Sequence, residues 1–213
     1  MKALITGFNP FGSDTINPSY EIVKKLPETI EGCHIIKKEI PTVFNESIKE
    51  LVTIIEAEEP DFVICIGQAG GEFAMRVERV AINLNEARIA DNKGQQPQDE
   101  IINEDGKMAY FATIPTKAIV KEMIDSNIPA VLSYTAGTFV CNHLFYGLMY
   151  AISQNFPQVR GGFIHVPFLP EQVLAKKNTP FMTLDMMTKA IEVAIKATIN
   201  NVTDIEFKGG SLH

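Results

Sequence analysis

The chain has 213 residues, a length that fits one domain of ordinary size and leaves room for at most two small ones. With 46% hydrophobic and 21% charged residues, 14 Gly and 12 Pro, it is neither disordered, nor collagen-like, nor a coiled coil, and it can bury a core without staples. Nineteen Lys and Arg against 26 Asp and Glu leave a net charge of −7, so there is no basic footprint for nucleic acid or an anionic membrane surface.

In chain order, Lys2–Thr6 is a short apolar run that reads as a strand. The turn-rich segment 7–18, GFNPFGSDTINP, follows it at once, so the apolar stretch is too short for a signal peptide. Strands are expected at His34–Ile40 and Asp61–Ile66. Between them Ile48, Leu51, Val52 and Ile55 recur at helical spacing. The segment 67–74, GQAGGEFA, follows the third strand. Arg76–Leu84 alternates in part, through Val80, Ile82 and Leu84, and reads as a strand. Residues 85–107 are polar and turn-rich, a long loop or an excursion with a small hairpin. Ile119, Met123 and Ile124 mark part of a helix, Ala130–Tyr134 a strand, CNHLFYGLMYAIS from Cys141 a helix and Gly162–Val166 a strand. The clearest helix runs from about Thr183, its N-cap, to Asn200. Its apolar face carries Met186, Met187, Ile191, Ala194, Ile195 and Ile199. The tail 207–213 reads as exposed.

Strands alternating with helices, several of them apolar without alternation, imply an α/β fold: a mainly parallel twisted sheet with helices on both faces. No domain boundary interrupts it. The longest nearly apolar run, Leu144 to Ile152, is far below the ~20 residues of a membrane span. Three widely spaced cysteines, Cys33, Cys65 and Cys141, form no disulfide framework and fit a reducing compartment, so a soluble cytoplasmic protein is expected.

Ligands bind at the carboxyl ends of strands in such sheets. The segments there are 7–18, 67–74, 135–141 and 165–170. Cys141 opens a helix, where backbone N–H groups and the helix dipole favour a thiolate and a developing oxyanion. The plain alternative is a small buried hydrophobe, which suits Cys33 and Cys65. His165 ends a strand 24 residues later, one helix plus one strand. A right-handed crossover puts both at one sheet edge, where His165 can act as a base for the thiol; otherwise it is a core histidine. A third group must orient the imidazole. Glu78 is a candidate, with Asp91 and Glu86 as local rivals, and an ion-paired strand carboxylate is the alternative. Arg88 is either a guanidinium aimed into the site or a surface loop residue. Phe8, Phe11 and Phe139 lie in the edge loops and either enclose an apolar pocket or cover the sheet end.

Other chemistries fit less well. Gly67-x-x-Gly70-Gly71 with Asp91 mimics a dinucleotide fingerprint, but the G-x-G-x-x-G pattern is not met and a strand stands where a helix is needed. Cys141 and His143 are two apart on a helix and cannot easily share a zinc ion. A cysteine-type glutaminase expects a carboxylate two residues after the histidine, where Pro167 stands.

The loops together closely resemble the pyroglutamyl peptidase I family, the pyrrolidone-carboxylate peptidases. The matching motifs are TGFNPFG (6–12), INPS (16–19), GQAGG (67–71), ERVAIN (78–83), ARIADN (87–92), GTFVCNHLFY (137–146) and GGFIHVPFLP (161–170), in order along the whole chain. The resemblance implies a single three-layer α/β/α sandwich domain over 1–213 that hydrolyses the N-terminal pyroglutamyl residue of peptides through a thioester acyl-enzyme, without metal or organic cofactor, often as a homotetramer. It implies a Glu78–Cys141–His165 triad and places Arg88 near the oxyanion. Phe8, Phe11, Phe139 and Val140 would enclose the pyroglutamyl ring, with Gln68 and Asn17 near its polar atoms. This chain departs from the family pattern at Ser13 (usually Gly), Glu72 (commonly Arg), Met75-Arg76 (commonly Ile-Thr) and Glu86 (commonly Asp). A non-catalytic binding protein with the same pocket is the reading from another class; it would need no activated thiol.

Overall fold

The computed structural model describes residues 1–210, so the end of the tail, 211–213, lies outside the described residues. β1 (Lys2–Phe8) is buried from Ala3 onward and lies between β3 (Cys33–Ile40) and β4 (Phe62–Gln68), parallel to both. β9 (Arg160–Val166) extends the parallel array beside β4. The seven-stranded sheet has the order β2-β3-β1-β4-β9-β5-β8. In it, β2 (Thr29–Ile30) is a short antiparallel edge on β3. β5 (Met75–Glu78) pairs antiparallel with β9, and β8 (Ala130–Ser133) pairs parallel with β5.

Alternate residues of the central strands face opposite cores, as the pleat requires. Ala3 and Ile5 join Ile22 and Val23 of α1 (Pro18–Lys25), Ile119 and Val120 of α3 (Thr116–Asp125) and the apolar side of α5 (Leu184–Asn200). Leu4, Val63 and Cys65 face Leu51 and Ile55 of α2 (Glu46–Glu58) and Leu144 and Leu148 of α4 (Val140–Gln154). The result is the expected three-layer α/β/α sandwich.

The expected elements return with modest changes. Thr183 caps α5, its side chain accepting from the Met186 N–H. Met186 and Ile124, read as apolar-face residues, are 40% and 48% exposed, because each sits at the margin of its helix's buried stripe. α1 falls inside and beyond a segment read as loop. Asn17 caps it, and Pro18 supplies a preset φ at the first helical position. Arg76–Leu84 is not one strand. The chain leaves the large sheet after Glu78, and β6 (Val80–Ile82) pairs with β7 (Ala109–Phe111) in a separate two-stranded sheet. Residues 83–108 are the excursion between these two strands, with an isolated bridge between Asn85 and Glu100. The tail is not wholly exposed: Phe207 packs against the core, and Tyr134 Oη donates to the Gly209 carbonyl at 2.9 Å.

Candidate active site

The carboxyl ends of β1, β3, β4 and β9 lie at one edge of the sheet. The spacing argument for Cys141 and His165 assumed a parallel crossover, yet β8 runs antiparallel to β9. The chain after β8 turns back through residues 134–139 and starts α4 at that edge. Gly137, at φ 75°, takes a left-handed conformation in that turn that side chains disfavour.

Here a cavity of about 150 Å³ is lined by Phe8, Phe11, Asn17, Thr42, Gln68, Ala136, Phe139, Cys141 and His165. The Phe11 and Phe139 rings are tilted at 6.2 Å, and Phe139 meets the edge of Phe44 at 5.4 Å. The wall is therefore largely aromatic. Cys141, the second residue of α4, is half-buried at the cavity surface, and the first-turn N–H groups of a helix have no intrahelical partner. Its sulfur lies against Gly67: a Cβ there would stand 2.9 Å from Sγ and 2.7 Å from Phe163 Cζ. The glycine is what lets β4 pass this close to the thiol.

His165 is 6% exposed, with the Phe163 ring 4.8 Å from its own. Its Nδ1 and Glu78 Oε1 are 2.9 Å apart. Glu78 is fully buried. The antiparallel register sets this up: Glu78 pairs with Phe163 and Arg76 with His165, so the carboxylate reaches diagonally across to the imidazole. Burial pulls the imidazolium toward neutrality. The charge and hydrogen bond of Cys141, then those of Glu78, outweigh it and raise the His165 pKa to about 10. The structure thus brings Glu78, His165 and Cys141 together. The rival carboxylates stand elsewhere: Asp91 staples its loop by accepting from the N–H groups of Phe44, Lys93 and Gln95, and Glu86 is exposed.

Of the other expected site residues, Asn17 and Gln68 line the cavity and Val140 and Arg88 do not. Asn17 lines the cavity, but its amide is engaged as the α1 cap, accepting from Ser19 and donating to the Asn9 carbonyl at 3.0 Å. Gln68 is held by Gln172, which donates to its Oε1 at 2.8 Å, and both amides donate to Asp14. Val140 is buried in the core beneath the cavity wall and does not line it. Arg88 is exposed on the 83–108 excursion and does not line the cavity. Cys33 and Cys65 are buried, and burial pushes the Cys65 thiol up to about 12, so neither is a nucleophile at neutral pH.

Sequence reasoning missed Thr42, Ala136 and Gln172. Thr42 had a signal, since it follows β3, whose carboxyl end shares the edge; Gln172 had none. His143 is a core histidine. Its Nε2 accepts from the Asn45 N–H at 2.8 Å, Nδ1 faces Asn85 Oδ1 at 3.0 Å, and burial lowers its pKa to about 4. Among the described residues no group of three His, Cys, Asp or Glu side chains could hold a metal, and no helix is long and apolar enough to cross a membrane.

The family model described as pyroglutamyl peptidase matches residues 1–201. Pyrrolidone-carboxylate peptidase from Clostridium perfringens is 54% identical over the full length of both chains, and that of Enterococcus faecalis 52%. The crystal structure of pyroglutamyl peptidase I from Bacillus amyloliquefaciens superposes with a TM-score of 0.94 at 52% identity, covering 97% of this chain and 98% of that one. The pyrrolidone carboxyl peptidase from Thermococcus litoralis superposes with a TM-score of 0.92 at 40% identity, again covering 97% and 98%. The chain therefore belongs to the pyroglutamyl peptidase family, as its loop motifs implied.

Proposed function

We propose that the protein is a cysteine omega-peptidase that removes pyroglutamate from the N-terminus of peptides, with Cys141 as nucleophile, His165 as acid and base, and Glu78 as the group that orients the imidazole. The observation that carries this assignment is the buried Glu78–His165 contact at 2.9 Å, with His165 and Cys141 lining the same aromatic cavity.

In this reading His165 holds the proton of Cys141, and Glu78 fixes the tautomer and stabilises the imidazolium. Sγ attacks the carbonyl carbon that joins pyroglutamate to the next residue. The Cys141 backbone N–H meets the oxyanion, one such donor being worth about 3–4 kcal/mol. The resemblance assigns Arg88 to the same oxygen. The C–N bond then breaks as His165 gives its proton to the leaving amine. Water, deprotonated by His165, cleaves the thioester, releases pyroglutamate and restores the thiolate–imidazolium pair.

The pocket chemistry selects the ring. Aromatic side chains suit the faces of a neutral lactam, and Gln68 and nearby backbone groups suit its polar edge. Open-chain glutamate would bring unpaired charge into an apolar site, at a cost of several kcal/mol. Proline keeps the ring but lacks the lactam carbonyl, so prolyl amides are expected to be cut at least about 100-fold more slowly.

The test is release of a fluorophore from a pyroglutamyl amide by wild type and Cys141→Ala. Activity in the first and none in the second is the expected result. A folded, reduced wild type without activity, or one that cuts prolyl and pyroglutamyl amides equally, overturns the reading. The resemblance also supports a homotetramer, and the three free cysteines a reducing, cytoplasmic compartment; light scattering coupled to gel filtration checks the assembly, with a mass near four chains expected.

A further inference from the structure

Arg76 departs from the family pattern, and it stands beside the catalytic carboxylate. Its Nε is 3.8 Å from Glu78 Oε1, the oxygen that also meets His165. The second carboxylate oxygen, Glu78 Oε2, is buried and has no hydrogen-bond partner among the described residues. A buried carboxylate in that state is costly unless charge of the opposite sign is near. Arg76 is fixed on both sides: its guanidinium donates to Ser133 Oγ at 2.9 Å and pairs with Glu72 at 3.1 Å. Glu72 is the other departure in the same stretch. The Arg76 side chain is three-quarters buried and lines the groove along β8.

We propose that Arg76 is a positioning residue for the peptidase reaction: with Glu72 setting its effective charge, it balances the buried charge beside Glu78 and keeps the carboxylate aimed at His165. The proposal rests on the Glu78–Cys141–His165 assignment above. The charged and titratable groups around the imidazole are Cys141 on α4, Glu78 and Arg76 on β5, and Glu72 in the loop before β5. β8 contributes the neutral Ser133, and β4 contributes Cys65, which stays protonated. Apart from the more exposed Glu72, thiolate, imidazolium, carboxylate and guanidinium sum to zero with Arg76 present. Without it, the same assembly carries one buried negative charge. The assembly then holds a further proton to higher pH, wherever that proton resides, and the acid limb of the pH–rate profile moves up.

The experiment measures kcat, KM and the pH profile of kcat/KM on a pyroglutamyl amide, with iodoacetamide alkylation of Cys141 followed in parallel. For Arg76→Gln the expected result is an acid limb raised by about one pH unit and kcat lowered about tenfold, with KM within twofold. Arg76→Lys, which keeps the charge, should restore most of both. Glu72→Gln, at a more exposed position, should shift the acid limb the other way, by a smaller amount. It keeps the test open if Arg76→Gln does not fold. Profiles that coincide with wild type in folded variants overturn the proposal. Alkylation that His165→Gln leaves unchanged overturns instead the triad assignment beneath it.

Discussion

Replacing Gly67 by Ala adds one methyl group where β4 passes Cys141, the proposed nucleophile. The new Cβ would stand 2.9 Å from Cys141 Sγ, 2.7 Å from Phe163 Cζ and 3.1 Å from Phe163 Cε1. Comfortable carbon contacts lie at about 3.5–4.0 Å, so the overlap is roughly 0.5–1 Å. Phe163 has little room to retreat, being fully buried with Phe8, Phe145 and His165 around it. The sulfur, at the cavity surface, is what gives way. A displacement near 1 Å at a reacting atom costs about 100-fold in rate, or roughly 2.7 kcal/mol. Overpacking should cost about 1–3 kcal/mol of stability, which lowers Tm by about 2–12 °C in a chain of this size. The assay pairs kcat/KM on a fluorogenic pyroglutamyl amide with scanning calorimetry. A Gly67→Ala enzyme within threefold of wild type and with unchanged Tm would refute the argument that this glycine sets the sulfur's position.

Glu78→Gln keeps the shape of the carboxylate but removes its charge. It should lower kcat by about 10²–10⁴-fold with KM little changed, and a loss below threefold would exclude Glu78 from the orienting role. His143 gives a pH prediction for stability. Its native pKa, lowered to about 4 by burial, lies below the unfolded value near 6.5. Above pH 6.5 it is neutral in both states and the full stability is present. As pH falls from 6.5 to 4 the unfolded chain binds the proton first, and up to about 3 kcal/mol is lost. Urea midpoints against pH should show this slope in wild type and not in His143→Gln; parallel curves would contradict it.

The sequence is most legible where one local rule decides the outcome. Thr183 before an apolar stripe announces α5, and unbroken apolar runs announce β1 and β4, buried on both faces. Asn17-Pro18 carried a helix-start signal as clear, but the surrounding Gly and Pro made the whole segment read as loop. Arg76–Leu84 misleads because its alternation continues across Glu78 while its partners change, from β8 and β9 to β7. Pairing partners are set by distant chain, and no local pattern records them. The site has the same division. Cys141 and His165 were reachable from helix-start and strand-end chemistry, though the assumed parallel crossover is not how they meet. Glu78 looked no different from a solvated strand carboxylate until the β5–β9 register buried it. Gln172 meets Gln68 and Asp14, neighbours remote in sequence, and composition carries no trace of that contact.

The seam between β5 and β9 has a consequence for how this enzyme fails. Cys141 and the aromatic wall belong to the parallel body of the molecule, whereas Glu78 belongs to a two-strand annex, β5 with β8, paired to the parallel sheet through three residues, Arg76 to Glu78, and packed on the shared core through Met75, Val77 and Ala130. Opening that seam alone would part Glu78 from His165 while the nucleophile and the ring pocket stay formed. Inactivation on warming should therefore precede loss of the core helices. Amide exchange in β5 should track the loss of turnover, while exchange in β1 and β4 tracks global unfolding. If that order of events holds, strengthening the annex would extend working life more than repacking the core.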